Sequence, residues 1–173
     1  MGVTEAFDPA SSSVSARYEA NFLEGATHPE VIAFVDYWCS CARGALPSRA
    51  DFEPRRIARW LPYFFVMELK QGRVHYRLVG TRLEARAGTV AQGRFVGEIF
   101  SPQATKEGLA LFQRTVDARA PIVMQLRLTG LPVEFLEFEA VQAPIFAPDG
   151  KDIWLVGCMY PTDEQSGPTS TFR

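Results

Sequence analysis

The chain has 173 residues, of which 47% are hydrophobic, and a formal net charge of −2 at pH 7. These values favour one domain with a substantial apolar core and argue against a protein built to bind nucleic acid or acidic membranes. The three cysteines suggest no disulfide framework, no apolar run reaches the roughly 18 residues that cross a bilayer, and the first residues lack a signal-peptide pattern. We therefore expect a cytoplasmic protein with no membrane-spanning segment.

Both ends of the sequence predict little regular structure. Apolar residues are sparse before residue 27, so we expect a weakly ordered leader over residues 1–26, with at most a loose turn of helix between Arg17 and Glu24. The polar residues 162–173 predict a frayed tail.

The first firm helix is predicted from Thr27 or His28 to Gly44. Thr27 and Glu30 have the spacing of a capping box, and a proline between them is tolerated in a first turn. A helix of this length is marginal in water on its own, so its apolar stripe must cover either the domain's own sheet or a second copy of the chain. The stripe consists of Val31, Val35, Trp38 and Ala42, widened by Ile32 and Cys39.

Residues 46–62 predict a proline-framed loop and a short helix of about two turns that ends at Pro62. Ile57, Trp60 and Leu61 are expected to face inward. Arg55, Arg56 and Arg59 are expected to face outward, and together with Arg49 they form a local basic patch. Because aromatic stacking platforms are missing, we interpret this patch as a solvated surface, with an anion or partner contact as the alternative.

Five strands are predicted, at residues 63–69, 74–79, 121–129, 133–147 and 152–160. The first two form a hairpin and the last three a meander, whose second turn is the strong signal Pro148-Asp149-Gly150-Lys151. In the second strand, Val74, Tyr76 and Leu78 are expected on one face.

Two helices are predicted between the hairpin and the meander. The first begins at Thr81, with Glu84 at capping-box spacing, and ends at Gly88. The second begins after a Ser101 cap, with Pro102 in its first position, and ends near residue 119 or 120. Its apolar stripe consists of Leu109, Phe112 and Val116, supported by Leu111. This order of elements predicts an α+β domain with an antiparallel sheet and one helical face.

Three stretches of the sequence carry a resemblance to a known family: LPSRADFEP at residues 46–54 followed by LP at 61–62, YRLVGT at residues 76–81, and residues 139–150 with their Pro-Asp-Gly turn. Together they cover roughly residues 28–161, over which the chain resembles the PAS family, and in particular the stand-alone PAS-type proteins common in alphaproteobacteria. The resemblance implies a PAS-like five-stranded antiparallel sheet over residues 63–161, with helices on one face, and an N-terminal helical extension over residues 27–62.

The resemblance also bears on cofactors. Light-sensing PAS domains carry a cysteine-containing flavin motif on the small helix, whereas residues 81–86 contain no cysteine; haem-binding relatives need a histidine on the longer helix, and residues 102–119 contain none. These departures argue against a flavin adduct and against haem. An unknown small organic ligand is expected in the interior unless the same side chains simply fill the core. The candidate pocket residues are Phe65, Met67, Tyr76, Leu78, Phe95, Leu111, Phe112, Met124, Leu126 and Phe138.

The function that the resemblance implies is a sensory or ligand-binding module that signals through self-association or a signalling protein partner. Helices that precede PAS cores often lie at dimer interfaces, so we expect a homodimer through Val31, Val35 and Trp38. The alternatives are a small enzyme, with Glu137 as base and Tyr76 as donor, and a pure oligomerisation domain. No nucleophile–base pair, phosphate loop or metal cluster is present in the sequence, which favours the sensory module.

Other residues with potential chemistry are interpreted as structural. His75 is predicted to be an exposed strand histidine. Cys39 and Cys41 are too few for a zinc site, so no metal is predicted and Cys39 is expected in the core. Glu137 and Glu139 are expected to share a solvated sheet face.

Overall fold

The computed structural model describes residues 15–133 and 135–163. The helices and strands of this part of the chain are β1 (Arg17–Phe22), α1 (Pro29–Cys41), β2 (Phe64–Lys70), β3 (Arg73–Val79), α2 (Thr81–Ala87), α3 (Pro102–Ala118), β4 (Ile122–Thr129), β5 (Leu136–Phe146) and β6 (Ile153–Pro161). The expected disorder of residues 1–14 and 164–173 lies outside the described residues.

The strands form a six-stranded antiparallel sheet in the order β1-β4-β5-β6-β2-β3. The predicted α+β class, the β2–β3 hairpin and the β4–β5–β6 meander are confirmed. The sheet has one strand more than expected, because the segment predicted as a loose helical turn is strand β1. It pairs with β4 from Arg17 opposite Thr129 to Phe22 opposite Met124, which satisfies backbone groups that would otherwise be unpaired along β4.

Helices cover both faces of the sheet rather than one. Odd-numbered residues of β5, including Val141 and Ile145, pack with α1 in one apolar cluster. Even-numbered residues, including Phe138, pack with α3 and the residues around α2 in a second cluster. Because all of β5 from Phe138 to Ile145 is buried, each face of the sheet needs an apolar cover.

Helix α1 is the cover of the first face, so its stripe docks within the chain. Val31 and Phe34 are fully buried, and Trp38 is buried with its ring N–H donating to the carbonyl oxygen of Pro144 at 2.9 Å. The expected dimer-interface role is therefore wrong for Val31 and Trp38, while Val35 is half-buried in the same cluster. A homodimer stays a prediction, but the face of α1 that suggested it is buried within the chain and is not exposed to a second copy.

The start of α1 is fixed by a carboxylate on the sheet, not by the predicted capping box. Glu139 is 4% exposed and accepts hydrogen bonds from the backbone N–H groups of Thr27 (2.7 Å) and His28 (2.8 Å) and from the Thr27 hydroxyl. The helix cap is His28, whose Nδ1 accepts from the N–H of Glu30 at 3.1 Å. The prediction of a solvated Glu139 is thus wrong, because its charge is paired with the donors that a helix start leaves free.

Residues 46–62 contain short 3-10 turns at Arg49–Phe52 and Leu61–Tyr63 instead of the predicted two-turn helix. Ile57 and Trp60 are buried as predicted. The arginines Arg55, Arg56 and Arg59 are exposed, also as predicted.

The two helices on the second face start differently from each other. Ser101 caps α3 as predicted, accepting from the N–H of Ala104 at 3.3 Å. Helix α2 has no side-chain cap: Gly80 is its N-cap residue, and Glu84 instead accepts from backbone N–H groups of the loop after the helix. Gly88 ends α2 in the left-handed conformation, as predicted.

We expect Gly80→Ala to lower the free energy of unfolding by about 2–3 kcal/mol, the cost of overpacking. Gly80 has an ordinary φ of −63°, but a methyl group there would lie 2.5 Å from the carbonyl oxygen of Leu61 and closer still to that of Pro62. Urea denaturation measures the change. Gly25→Ala is the matched control, since no atom lies within 4 Å of its added carbon. Thr81→Ala should change the free energy of unfolding little, because the Thr81 side chain does not cap α2. A loss of about 1 kcal/mol would instead show that it does.

Candidate ligand cavity

A cavity of about 140 Å³ lies between the sheet and helices α2 and α3. Protein cores contain few voids larger than a water molecule, and an apolar cavity of roughly this size accommodates benzene. The wall is apolar for most of its area because the even-numbered side of β5, the facing residues of β2 and β4, and the inner sides of α2 and α3 all meet there.

Seven of the ten predicted pocket residues line the cavity. Six of them lie on four strands, and the alternation of apolar residues correctly assigned these to one face of the sheet; Leu111 lies on helix α3. The seven residues are Phe65, Met67, Tyr76, Leu111, Met124, Leu126 and Phe138.

Leu78 was predicted to face the cavity and does not. Val66 pairs with Leu78, but the next residue, Met67, pairs with Tyr76, so Arg77 is an extra residue on β3. Such a bulge shifts the alternation by one residue. Tyr76 therefore faces the cavity, whereas Leu78 packs with the α1 cluster.

Phe95 and Phe112 are also outside the cavity wall. The ring of Phe95 lies 5.0 Å from that of His75 and 3.8 Å from the guanidinium of Arg73, at the outer edge of β3. Phe112 is buried in the same apolar cluster as the cavity residues but does not border the open space.

Among the lining residues that sequence reasoning missed, Tyr18 has a buried hydroxyl with no hydrogen-bond partner in the described part of the chain. It lies on β1, which was not predicted as a strand, although Tyr18 and Ala20 alternate with polar residues. Its ring packs edge-on against Phe100 at 5.6 Å. The remaining missed residues are mostly apolar and include Leu83, Ile99, Phe100, Gly108 and Leu131.

Two other polar side chains of the wall, Gln142 and Glu84, already have hydrogen-bond partners within the protein. Gln142 donates to the hydroxyl of Thr115 and to the carbonyl oxygen of Leu111. Glu84 accepts from the N–H groups of Ala91 and Gln92, each at 2.9 Å. The described lining residues include no Lys, Arg or His, so the cavity has no positive charge in its wall.

Both tyrosines of the wall are neutral at physiological pH, and burial raises the pKa of each further above its ordinary value. Desolvation raises the pKa of Tyr76 to about 12. The pKa of Tyr18 is also raised, by desolvation first and then by the neighbouring Tyr76 and Glu107. Both side chains therefore keep a hydroxyl hydrogen that can be donated in a hydrogen bond.

The residues of the enzyme alternative are not brought together. Glu137 lies on the α1 side of β5 by the alternation of that strand and pairs with Arg127 at 2.8 Å, whereas Tyr76 faces the cavity on the other side of the sheet. His75 is not exposed as predicted: its side chain is 12% exposed and its Nδ1 lies 3.1 Å from Glu68, which also pairs with Arg77.

The cysteines lie away from the cavity. Cys39 is exposed on α1, which makes its predicted place in the core wrong, and Cys158 is buried on the α1 side of the sheet. Within residues 15–133 and 135–163, no group of three or more His, Cys, Asp or Glu side chains is arranged to hold a metal ion. No helix of these residues is both long and apolar enough to cross a membrane.

Comparison with known proteins gives a family and a distant structural neighbour. A family model described as PAS domain matches residues 26–160. No curated protein matches the chain. Among solved structures, one of an RNA-binding Light-Oxygen-Voltage receptor is similar at 13% identity with a TM-score of 0.49, over 87% of this chain and 40% of the receptor chain. The chain thus spans less than half the length of that receptor.

The free energy of unfolding is expected to fall as the pH rises from 10 towards 12, because the folded-state pKa of Tyr76 is about 12 and the ordinary value is 10.0. In this interval the unfolded chain loses the proton before the folded one, which favours unfolding, and below pH 10 the group has no effect. Urea denaturation at pH values on either side of 10 should show that the free energy of unfolding falls less steeply with pH in Tyr76→Phe than in the wild type. Met67→Leu, which alters the same wall without removing an ionisable group, should keep the wild-type slope. If Tyr76→Phe kept the wild-type dependence of the free energy of unfolding on pH, the raised pKa of Tyr76 would be contradicted.

Proposed function

The chain belongs to the PAS domain family, and from this we propose that it is a sensory module that binds a small organic molecule in the cavity between its sheet and helices α2 and α3. The family membership supports a sensory role in general. The single observation that carries the finer proposal is the apolar cavity of about 140 Å³ between the sheet and helices α2 and α3.

The nature of the cavity wall supports an organic ligand other than flavin or haem. The volume is close to that which holds one benzene ring, whereas a flavin has three fused rings and a haem is larger still. The described wall contains neither a cysteine for a flavin adduct nor a histidine for haem iron. We accordingly propose a colourless protein whose ligand is held without a covalent bond.

The output of the module remains a proposal from the family alone. A signalling protein partner or self-association would carry the signal, since the side chains that the enzyme alternative requires lie on opposite faces of the sheet. We also propose, from the family and composition, that the protein acts in the cytoplasm.

Two measurements test the ligand proposal. Mass spectrometry of the natively purified protein should detect a co-purified small molecule, and methylenecyclohexane, a single-ring hydrocarbon, should bind with saturable shifts in protein NMR spectra. Resonances of residues around α2 and α3 should move, and those of α1 should not. A protein that binds neither a natural molecule nor this probe would have a dry, unused void, and the proposal would be wrong.

Gly108→Ala should weaken binding of methylenecyclohexane by about tenfold, the usual effect of one methyl group in an apolar pocket. Gly108 borders the cavity, and its added methyl group would lie 3.0 Å from the Tyr18 hydroxyl. The variant should stay folded, since alanine in a helix is favoured over glycine by about 1 kcal/mol. Gly97→Ala is the control: its methyl group would contact only Thr105, at 3.4 Å, away from the cavity wall. Equal affinities in the two variants would place the probe elsewhere.

A further inference from the structure

We infer that the ligand of this cavity is a neutral, single-ring molecule with one hydrogen-bond acceptor, and that the acceptor receives the hydroxyl hydrogen of Tyr18. The inference rests on the proposed function and adds the chemical class of the ligand and the residue that selects it.

The Tyr18 hydroxyl oxygen is buried and has no hydrogen-bond partner among the residues that the structure describes. A buried hydroxyl without a partner costs free energy, and such groups are uncommon in native proteins. The oxygen lies beside Gly108, which is itself part of the cavity wall. An acceptor atom on a bound ligand would satisfy the hydroxyl.

The charge of the wall selects a neutral ligand. A carboxylate or phosphate in the cavity would be desolvated without a cation to compensate it, since the described wall has no Lys, Arg or His. A ligand cation would find only Glu84, whose Oε1 is already held by two backbone N–H groups. A ketone, ether or ester oxygen needs one donor and no counter-charge, and Tyr18 provides that donor.

Tyr18, the residue that would select the ligand, lies outside the region that matches the family model. Tyr18 is on β1, whereas the matched region begins at residue 26. Strand β1 is held at the sheet edge by its pairing with β4 and by the N–H of Ser101, which donates to the carbonyl oxygen of Ala16 at 2.8 Å. The specificity of the cavity is therefore supplied by this chain's own N-terminal strand.

The test compares two neutral probes of nearly identical shape, and one anionic probe, in the full-length protein. Cyclohexanone and methylenecyclohexane differ only in an oxygen atom in place of a CH₂ group, and cyclohexanecarboxylate adds an anionic group. By NMR titration, cyclohexanone should bind about fivefold more tightly than methylenecyclohexane, which corresponds to one net hydrogen bond. Cyclohexanecarboxylate should not bind measurably at neutral pH.

Tyr18→Phe should remove the preference for cyclohexanone and leave the affinity for methylenecyclohexane unchanged. Without ligand this variant should be at least as stable as the wild type, because the hydroxyl that it lacks has no partner to lose. Tyr160→Phe is the matched control: it removes another buried hydroxyl without a described partner, but on the α1 side of the sheet. It should keep the fivefold preference.

The outcomes separate this inference from the proposed function. If both neutral probes bind the wild type equally, or if Tyr18→Phe keeps the preference, the cavity still binds ligands but Tyr18 is not the donor. Tight binding of cyclohexanecarboxylate would overturn the neutral class. If no probe binds the wild type, the proposed function itself fails, and this inference with it.

Discussion

The burial of β5 and β6 on both faces is the constraint on which the rest of the fold depends. From Leu155 to Cys158, β6 is fully buried, and β5 is buried from Phe138 to Ile145. A strand buried on both sides requires two apolar covers, which here are α1 on one face and α2 with α3 on the other. The two covers are not equivalent, since the first packs closely and the second leaves the cavity.

The two faces differ in the side chains that pack against the sheet. Helix α1 is joined to the sheet by polar bonds at both ends, through Glu139 at its start and Trp38 near its end. It packs large aromatic rings into the interface, with Phe34 between Trp60 and Phe64. The opposite face has in Gly157 a residue with no side chain, and the ring of Phe65 lies directly on it. Glycine in a strand interior often marks such a close approach.

Local signals in the sequence predicted the local structure, and long-range pairing decided the rest. The hairpin, the meander, the Ser101 cap and the end of α2 were predictable because the residues that fix them are neighbours in sequence. Glu139 was misread because its partners, Thr27 and His28, are more than 100 residues away. The sequence left open whether α1 docks on its own sheet or on a second copy of the chain, because the sheet residues that it contacts are also distant in sequence. The predicted stripe also omitted Phe34, which is fully buried. In the cavity, strict alternation placed six strand residues correctly, and it failed at Leu78 because a bulge gives no clear signal in one sequence.

The cavity exists only because the sheet is strongly curled. Tyr18 and Tyr76 belong to β1 and β3, the two edge strands, which are five strand spacings apart in the sheet order. In a flat sheet that separation would be roughly 24 Å, yet both side chains border one cavity of about 140 Å³, and Tyr76 contributes to the raised pKa of Tyr18. Twist and bulges produce such curvature, and the bulge at Arg77 lies on one of the two edges concerned. The same irregularity that turns Leu78 away from the cavity thus belongs to the edge that brings Tyr76 towards Tyr18. A ligand that contacts both tyrosines would span the two edges of the sheet, so its binding free energy would act on the curvature itself and not only on one wall of the cavity.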